Sequence, residues 1–280
     1  MTSTKTPEEI EALVSLLADE DPRIYEIVAG HVRELGETAV PVLERWIEDS
    51  DARIRMRCRH LLQEIQAGEV DRDLEAIAHA SDEDVDLEHG CWVIARTEYP
   101  GLPRAAISDP LDRIAADVAS RLSGVAEPKD QIQIMNHVIF TEWRFRRDNR
   151  NYYDPDNTFL HRVLELRTGV SVSLATLYVL VAKRLGLPIY GVGMPNAVLV
   201  RYGDSETDLF LDPAAGGRLL SRRDLAQYLS SAGYYFKDGY ISNATARELL
   251  LRTLQHLMVS YFGHEHGTRL LKHLEHFRTR

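Results

Sequence analysis

The chain has 280 residues, 44% hydrophobic and 27% charged, with a formal net charge of −10. That length and balance suit a globular chain of one large or two modest domains. The negative charge argues against nucleic acid as a partner, and no apolar run approaches the roughly 18 residues of a membrane span.

Two cysteines, Cys58 and Cys91, are too few for a disulfide framework. Met1-Thr2-Ser3-Thr4-Lys5 leads into an acidic helix instead of an apolar leader, so a cytoplasmic location is expected. Two basic runs, Arg53–Arg57 and Arg144–Arg147, are mixed with apolar residues and read as solvated helix faces.

The N-terminal segment echoes itself at an offset of 30. Asp21-Pro22-Arg23-Ile24 returns as Asp51-Ala52-Arg53-Ile54, with Leu13, Leu17, Val28, Val32 and Leu35 answered by Leu43, Ile47, Cys58, Leu62 and Ile65. Ile24, Ile27, Val28, His31, Val32 and Leu35 follow the spacing of one helix face. Asp21 and Asp51 suit N-caps, Pro22 suits a first helical turn, and Gly36 suits a helix end before Thr38 and Pro41 open the next helix. Residues 1–66 therefore read as a HEAT-like repeat module, with two helix pairs over 7–66 that must stack on something to bury their apolar faces.

Residues 67–84 are polar, end in Ser81-Asp82-Glu83-Asp84, and read as a linker. Helical patterns resume at 87–95, 111–122 and 132–145, and a turn-rich loop occupies 149–157. A buried helix follows, marked by Leu174, Leu177, Tyr178, Val181 and Leu185 and closed by Gly186 and Pro188. Residues 189–193, 198–202 and 208–211 alternate as strands, with Gly203-Asp204-Ser205-Glu206 as a hairpin turn. Residues 244–278 return to helix, with breaks expected near Gly263 and Gly267. The expected class is α+β with helices dominant. The domain boundaries drawn are 85–232 for the core and 233–280 for a helical extension.

Gly169-Val170-Ser171 at the mouth of an apolar helix, then Pro195-Asn196-Ala197, then Leu211-Asp212-Pro213, resemble the frame of a papain-like or transglutaminase-like core. In such a triad a Cys at a helix N-terminus gives its proton to a His on a neighbouring strand, and a carboxylate orients that His.

The segment from Leu87 to Leu229 resembles the SirB-type branch of the transglutaminase-like superfamily. The resemblance rests on Glu98-Tyr99-Pro100, Tyr152-Tyr153-Asp154-Pro155, Val163–Glu165, Arg167 and Gly169, Ser173-Leu174, Arg184–Pro188, Gly191–Gly193, Asp212-Pro213 and Gly216-Gly217. It implies a transglutaminase-like α+β fold, often with a repeat module attached. It also implies that the nucleophile position is Ser171, the base position Ala197 and the acid position Asp212. That branch commonly lacks the Cys but keeps a Gly-His pair where this chain has Asn196-Ala197. Ser173 is expected to cap its helix, and Asp212 to accept backbone N–H groups or pair with a cation.

Several competing signals are weaker. Gly90-Cys91-Trp92 imitates a transglutaminase nucleophile segment that could pair Cys91 with His137, but Cys91 falls on a core face with Leu87, Ile94 and Ala95. The loop Asp154–Glu165 has the ends of a calcium site but Phe159 where Gly is required. His256, His264, His266, His273 and His276 are read as surface residues without a fixed metal motif. Gly191-Val192-Gly193 lacks the third glycine of a dinucleotide loop.

The expected function is a non-catalytic, protein-binding or scaffolding module with no cofactor, no metal, no nucleic acid and no membrane. The alternative is a hydrolase or acyl transferase using Cys91 or Ser171 with an unrecognised base. A third reading is an adaptor working through the helical repeats alone.

Overall fold

The computed structural model describes residues 6–47, 51–203, 209–262 and 265–278, and divides into two units, residues 1–73 and 74–280. The first unit is helical, with α1 (Pro7–Ser15), α2 (Pro22–Leu35), α3 (Val40–Trp46) and the start of α4 (Ala52–His79). The repeated Asp residues make the same local bond. Asp21 Oδ1 accepts the Arg23 N–H at 2.9 Å and Asp51 Oδ1 accepts the Arg53 N–H at 2.7 Å. Each satisfies a donor that the first helical turn leaves open. Val28 and Cys58, paired across the offset, lie with Leu17, Val32, Leu43 and Ile65 in one buried core.

The segment expected as a linker, 67–84, is helical as far as His79. Val70, Leu74 and Ile77 keep helical spacing and are buried. The end of α4 is also held from far along the chain: the Arg247 guanidinium donates to the carbonyls of Ile77, Ala78 and Ala80 and pairs with Asp82. Those carbonyls have no partner in their own helix, and nothing near them in the sequence announces the one they find.

The second unit opens with α5 (Leu87–Arg96), α6 (Ala105–Leu122) and α7 (Pro128–Asn136), which widens into a π turn over His137–Glu142. The basic run that follows is not a helix face. Arg146–Arg147 is the short strand β1, which pairs in parallel with β2 (Thr168–Gly169) after α8 (Leu160–Leu166). The apolar helix is α9 (Ser171–Arg184). Then come β3 (Ile189–Met194), β4 (Ala197–Tyr202), β5 (Leu209–Asp212), β6 (Arg218–Leu220), α10 (Arg222–Ser231), β7 (Asn243–Ala244), α11 (Ala246–Ser260) and α12 (Glu265–Arg278). Of the expected hairpin turn, Asp204 to Glu206 lie outside the described residues, and Gly267 falls inside α12.

Five strands form an antiparallel sheet in the order β6-β5-β4-β3-β7. The segment from residue 233 thus adds a strand to the core sheet as well as helices. Residues opposite one another in a ladder share a face, which separates the two sides of the sheet. On one side Gly191 and Gly193 lie against Leu249 and Arg252 of α11. On the other, Val192, Met194, Leu199 and Phe210 pack with Leu225 and Leu229 of α10 and with Ile241. The fold is therefore α+β, with helices dominant and one small sheet. Among the described residues no helix is long and apolar enough to cross a membrane.

Candidate functional site

The three triad positions fall at the ends of elements. Ser171 is the first residue of α9, half-buried at its N-terminus. Ala197 is the first residue of β4, entered through Asn196 at φ +62° and paired with Met194. Asp212 is the last residue of β5. The registers Met194↔Ala197, Val200↔Leu211 and Asp212↔Arg218 put Ala197, Asp212 and Arg218 on the same sheet face, the one covered by α10.

The groups expected to do chemistry are otherwise engaged. Asp212 Oδ1 accepts the N–H groups of Ala214 and Ala215 at 2.9 and 3.3 Å, capping the short 3₁₀ turn Pro213–Ala215. Ala197 offers a methyl group where a base would stand. Ser173 is buried, and its hydroxyl donates to the Asn157 carbonyl at 2.7 Å while accepting the Val170 N–H at 3.0 Å. This is the reach-back half of a capping box, and it fixes the mouth of α9. Gly169 makes room for it, since a Cβ there would stand 2.7 Å from Ser173 Oγ. Among the described residues no His or Lys side chain hydrogen-bonds to Ser171.

The Tyr-Tyr-Asp-Pro loop binds the site together. Asn157 Nδ2 donates to Asp148 Oδ2 at 3.3 Å and to the Asn151 carbonyl at 2.9 Å, while its own carbonyl also accepts the Val170 N–H at 3.0 Å. Asp156 accepts the Tyr99 hydroxyl at 2.7 Å and Arg162 Nε at 2.9 Å. Tyr99 of Glu98-Tyr99-Pro100 therefore touches the residue that follows Tyr-Tyr-Asp-Pro. Burial, reinforced by the Asp156 carboxylate, pushes the Tyr99 hydroxyl up to about 12. Burial alone would raise the Asp156 pKa, but Arg162 and Tyr99 outweigh it and hold the carboxyl below its ordinary value. These carboxylates serve the loop and leave no calcium cage.

Two residues with structural roles had no local signal. Asn136 donates to the Gly217 carbonyl at 2.9 Å and accepts the Tyr178 hydroxyl at 3.1 Å, joining α7, α9 and the loop before β6. Gly217 sits at φ +78°, with no space for a Cβ beside Asn136. His256, expected at the surface, is instead largely buried. Its Nδ1 lies 2.9 Å from Thr158 Oγ1, its ring meets Tyr152 edge-on at 5.1 Å, and burial lowers its pKa. Thr158 is only 2% exposed, so this pair does not present a hydroxyl to a substrate.

Cys91 does not join the site. It is buried on α5, and burial raises its thiol pKa well above the ordinary value, which suppresses the reactive thiolate. His137 is exposed and faces Glu142 at 3.2 Å. His273 is buried on α12; His264 lies outside the described residues, as do the side chains of His266 and His276. Among the described residues no three of His, Cys, Asp or Glu gather as metal ligands would.

The open side of the site is basic and aromatic. The Arg147 guanidinium lies 5.5 Å from the centre of the Tyr152 ring, and Tyr153 meets Tyr152 edge-on at 5.1 Å. Tyr228 of α10 closes the group. Partial burial, then the negative charge of Asp212, raise its hydroxyl pKa, while Arg147 opposes them. Among the described residues three other than glycine have left-handed backbone: Arg144 (φ +60°) just before β1, Arg167 (φ +61°) just before β2, and Asn196 beside Ala197. Such conformations cost energy in a long side chain and are held only by their surroundings. At Arg167 the surroundings are visible, because its guanidinium donates to the Trp143 carbonyl at 3.0 Å and stacks over the Trp143 ring at 4.3 Å.

Comparison with known proteins gives this geometry a context. A family model described as the transglutaminase-like superfamily matches residues 105–255. A UPF0162 protein of Xylella fastidiosa (strain 9a5c) is 31% identical over 152 residues, 54% of this chain and 54% of that protein. A UPF0162 protein of Pseudomonas aeruginosa is 28% identical over 173 residues, 61% of this chain and 63% of its own. F-box only protein 21 of Homo sapiens is 32% identical over 97 residues, 34% of this chain and 15% of that protein. The chain spans about half the length of the first of these relatives, and no solved structure matches it.

Proposed function

The chain belongs to the transglutaminase-like superfamily, and from that premise we propose that it is a non-catalytic member whose cleft binds a protein segment instead of transforming it. The observation that carries the reading is the state of the three triad positions. The position aligned with the base is the methyl of Ala197. Asp212 Oδ1 caps a turn, accepting the N–H groups of Ala214 and Ala215. Among the described residues no His or Lys side chain, the kind of proton acceptor that activates a hydroxyl, hydrogen-bonds to Ser171. The alternative nucleophile, Cys91, is shut in the core.

The finer family assignment, to the SirB-type branch, is supported by the hydrogen bond from Tyr99, in one motif piece, to Asp156, the residue that follows Tyr-Tyr-Asp-Pro. The HEAT-like reading of residues 1–66 is supported by the paired caps at Asp21 and Asp51. A reducing, cytoplasmic setting suits two cysteines that are both reduced and buried.

The test is an assay of purified protein for amide hydrolysis and for amine transfer to a glutamine-containing peptide, beside Ser171→Ala and Cys91→Ser. No turnover is expected from any of the three. Turnover by the parent that disappears in either variant would refute a non-catalytic role.

A further inference from the structure

The ligand class can be narrowed from the charges around the cleft, an inference that rests on the reading of the cleft as a binding site. We propose that the occupant is an acidic, aromatic-tolerant segment of a partner protein, held by Arg147 and Arg218 and laid across Tyr152, Tyr153 and Tyr228.

The first argument is how the chain distributes its cations. It has 43 acidic residues against 33 Lys and Arg, so carboxylate partners are plentiful. Several arginines find them: Arg45 with Glu11, Arg121 with Glu142, Arg162 with Asp156, and Arg184 with Glu88 and Asp112. Arg146, Arg147, Arg150, Arg218 and Arg223 are all exposed and make no ion pair within 4 Å among the described residues. Arg146 acts at longer range on Asp148, and Arg218 and Arg223 share Asp224, so the guanidinium groups outnumber these carboxylates. In a protein of net negative charge, such a local excess of cations is complementary to an acidic surface.

The second argument is that these groups converge. Arg218 stands opposite Asp212 in the β5–β6 ladder, on the face that Ala197 shares. Arg147 lies over Tyr152. Tyr228 is within the electrostatic reach of Asp212, Arg147 and Tyr152 together. Arg147, Arg218 and Tyr228 therefore gather on the side of Asp212. Tyr153 is 62% exposed and Tyr228 40%, and tyrosines of this kind supply contact area at small entropic cost.

The third argument concerns backbone. β1 uses only one side in its parallel pair: the Arg146 N–H goes to the Arg167 carbonyl and the Asp148 N–H to the Gly169 carbonyl. The intervening Arg147 peptide groups point away from β2 by the alternation of a strand. An extended segment is recognised through such groups together with side-chain contacts. Nucleic acid shares the anionic chemistry but would meet the field of a chain with net charge −10, which favours a short acidic peptide segment.

The experiment uses the full chain and three fluorescein-labelled twelve-residue peptides: one alternating Glu with Leu and Tyr, one with Gln for Glu, and one with Lys for Glu. Anisotropy titration at low salt should show binding of the Glu peptide only. Arg147→Glu and Arg218→Glu should each weaken it at least tenfold, and Lys129→Glu, the same charge change on α7, less than twofold. Raising the salt to 0.5 M should weaken binding severalfold. Absence of Glu-peptide binding at millimolar concentration overturns the proposal, as does binding that Arg147→Glu and Arg218→Glu leave intact. Tighter, arginine-dependent binding of a single-stranded oligonucleotide would replace a protein partner with nucleic acid. The amide and amine-transfer assays on the same preparations separate the two readings. Ser171-dependent turnover would end the non-catalytic reading, whereas inactivity with no peptide binding ends only the assignment of the ligand.

Discussion

The two faces of the five-stranded sheet are built to different standards of closure. On the α11 face, two glycines of β3 are matched to two side chains of one helix: Gly191 to Leu249 and Gly193 to Arg252, whose guanidinium donates to the Gly193 and Met194 carbonyls at 2.6 and 3.0 Å. A third glycine, Gly90 of α5, admits Leu250 from the same helix. On the cleft face the core of Leu199, Phe210, Leu225 and Leu229 is equally dry. Its rim, though, carries exposed arginines, exposed tyrosines and left-handed backbone. Close backbone-to-side-chain packing is thus concentrated on the α11 side, and the opposite rim is the more exposed. If that division is right, substitutions under α11 cost stability and substitutions at the triad positions cost little.

The largest expected effect lies where α11 begins. Arg247 is 8% exposed and bridges the end of α4 to Asp82. Arg247→Ala leaves several buried carbonyls and a carboxylate without their donor, and should cost about 3–5 kcal/mol in denaturant unfolding. A loss below about 1 kcal/mol would mean that water replaces the guanidinium and that this face is less closed than described.

The seat of α11 gives the next effect. In Gly90→Ala the new methyl overlaps Leu250, and the helix backbone of α5 cannot yield easily, so about 1–3 kcal/mol should be lost. Leu250→Ala alone should cost about 2–5 kcal/mol by leaving a cavity. Combined, the two should be less destabilising than their sum, because the second removes the atoms that the first collides with. Strict additivity would break the claim that glycine is required there by Leu250.

A pH effect follows from His161 on α8. Its ring lies 4.5 Å edge-on from Tyr99 and 6.1 Å from Phe159, and burial, then the neighbouring Arg162, lower its pKa to about 4. The folded protein holds this ring neutral where the unfolded chain takes up a proton below 6.5. The contribution to stability is therefore whole above pH 6.5, falls as the pH drops toward 4, and changes no further below that. Residual solvent access discounts the size to about 1–2 kcal/mol. His161→Phe should flatten the fall measured between pH 7 and pH 4. An unchanged slope would assign the acid sensitivity to other groups, among them His256, whose shift has the same sign.

These cases also explain what could be read from the sequence. The paired caps at Asp21 and Asp51, the helix from Ser171 and the three central strands were legible because their causes are local: side-chain oxygens beside open N–H groups, and apolar residues at helical or alternating spacing. The length of α4, the burial of His256 and the role of Asn136 were not. Each depends on a partner 81 or more residues away, namely Arg247, Thr158 or Gly217. The motif pieces Glu98–Pro100 and Tyr152–Pro155 were visible separately, and only the fold shows that Tyr99 bonds to Asp156, just after the second. The strand at Arg146–Arg147 was misread because two residues carry no periodicity, and its partner at Thr168–Gly169 is equally short.

The smallest effects are expected at the triad positions, where the comparison of the two faces is most exposed to refutation. Ser171→Ala removes a half-buried hydroxyl that no described side chain engages, and should change stability by less than about 0.5 kcal/mol. Asp212→Asn keeps an oxygen for the N–H groups of Ala214 and Ala215 and should cost about as little, whereas Asp212→Ala loses the cap and should cost about 1 kcal/mol. The ordering of those two variants carries the argument. A carboxylate that holds the structure through its charge would be intolerant of Asn, but a carboxylate that serves as a cap needs only an acceptor. A large loss in Asp212→Asn, with Arg218→Gln equally damaging, would mean that the charge itself holds the rim together, and the cleft face would then be as tightly built as the face that carries α11.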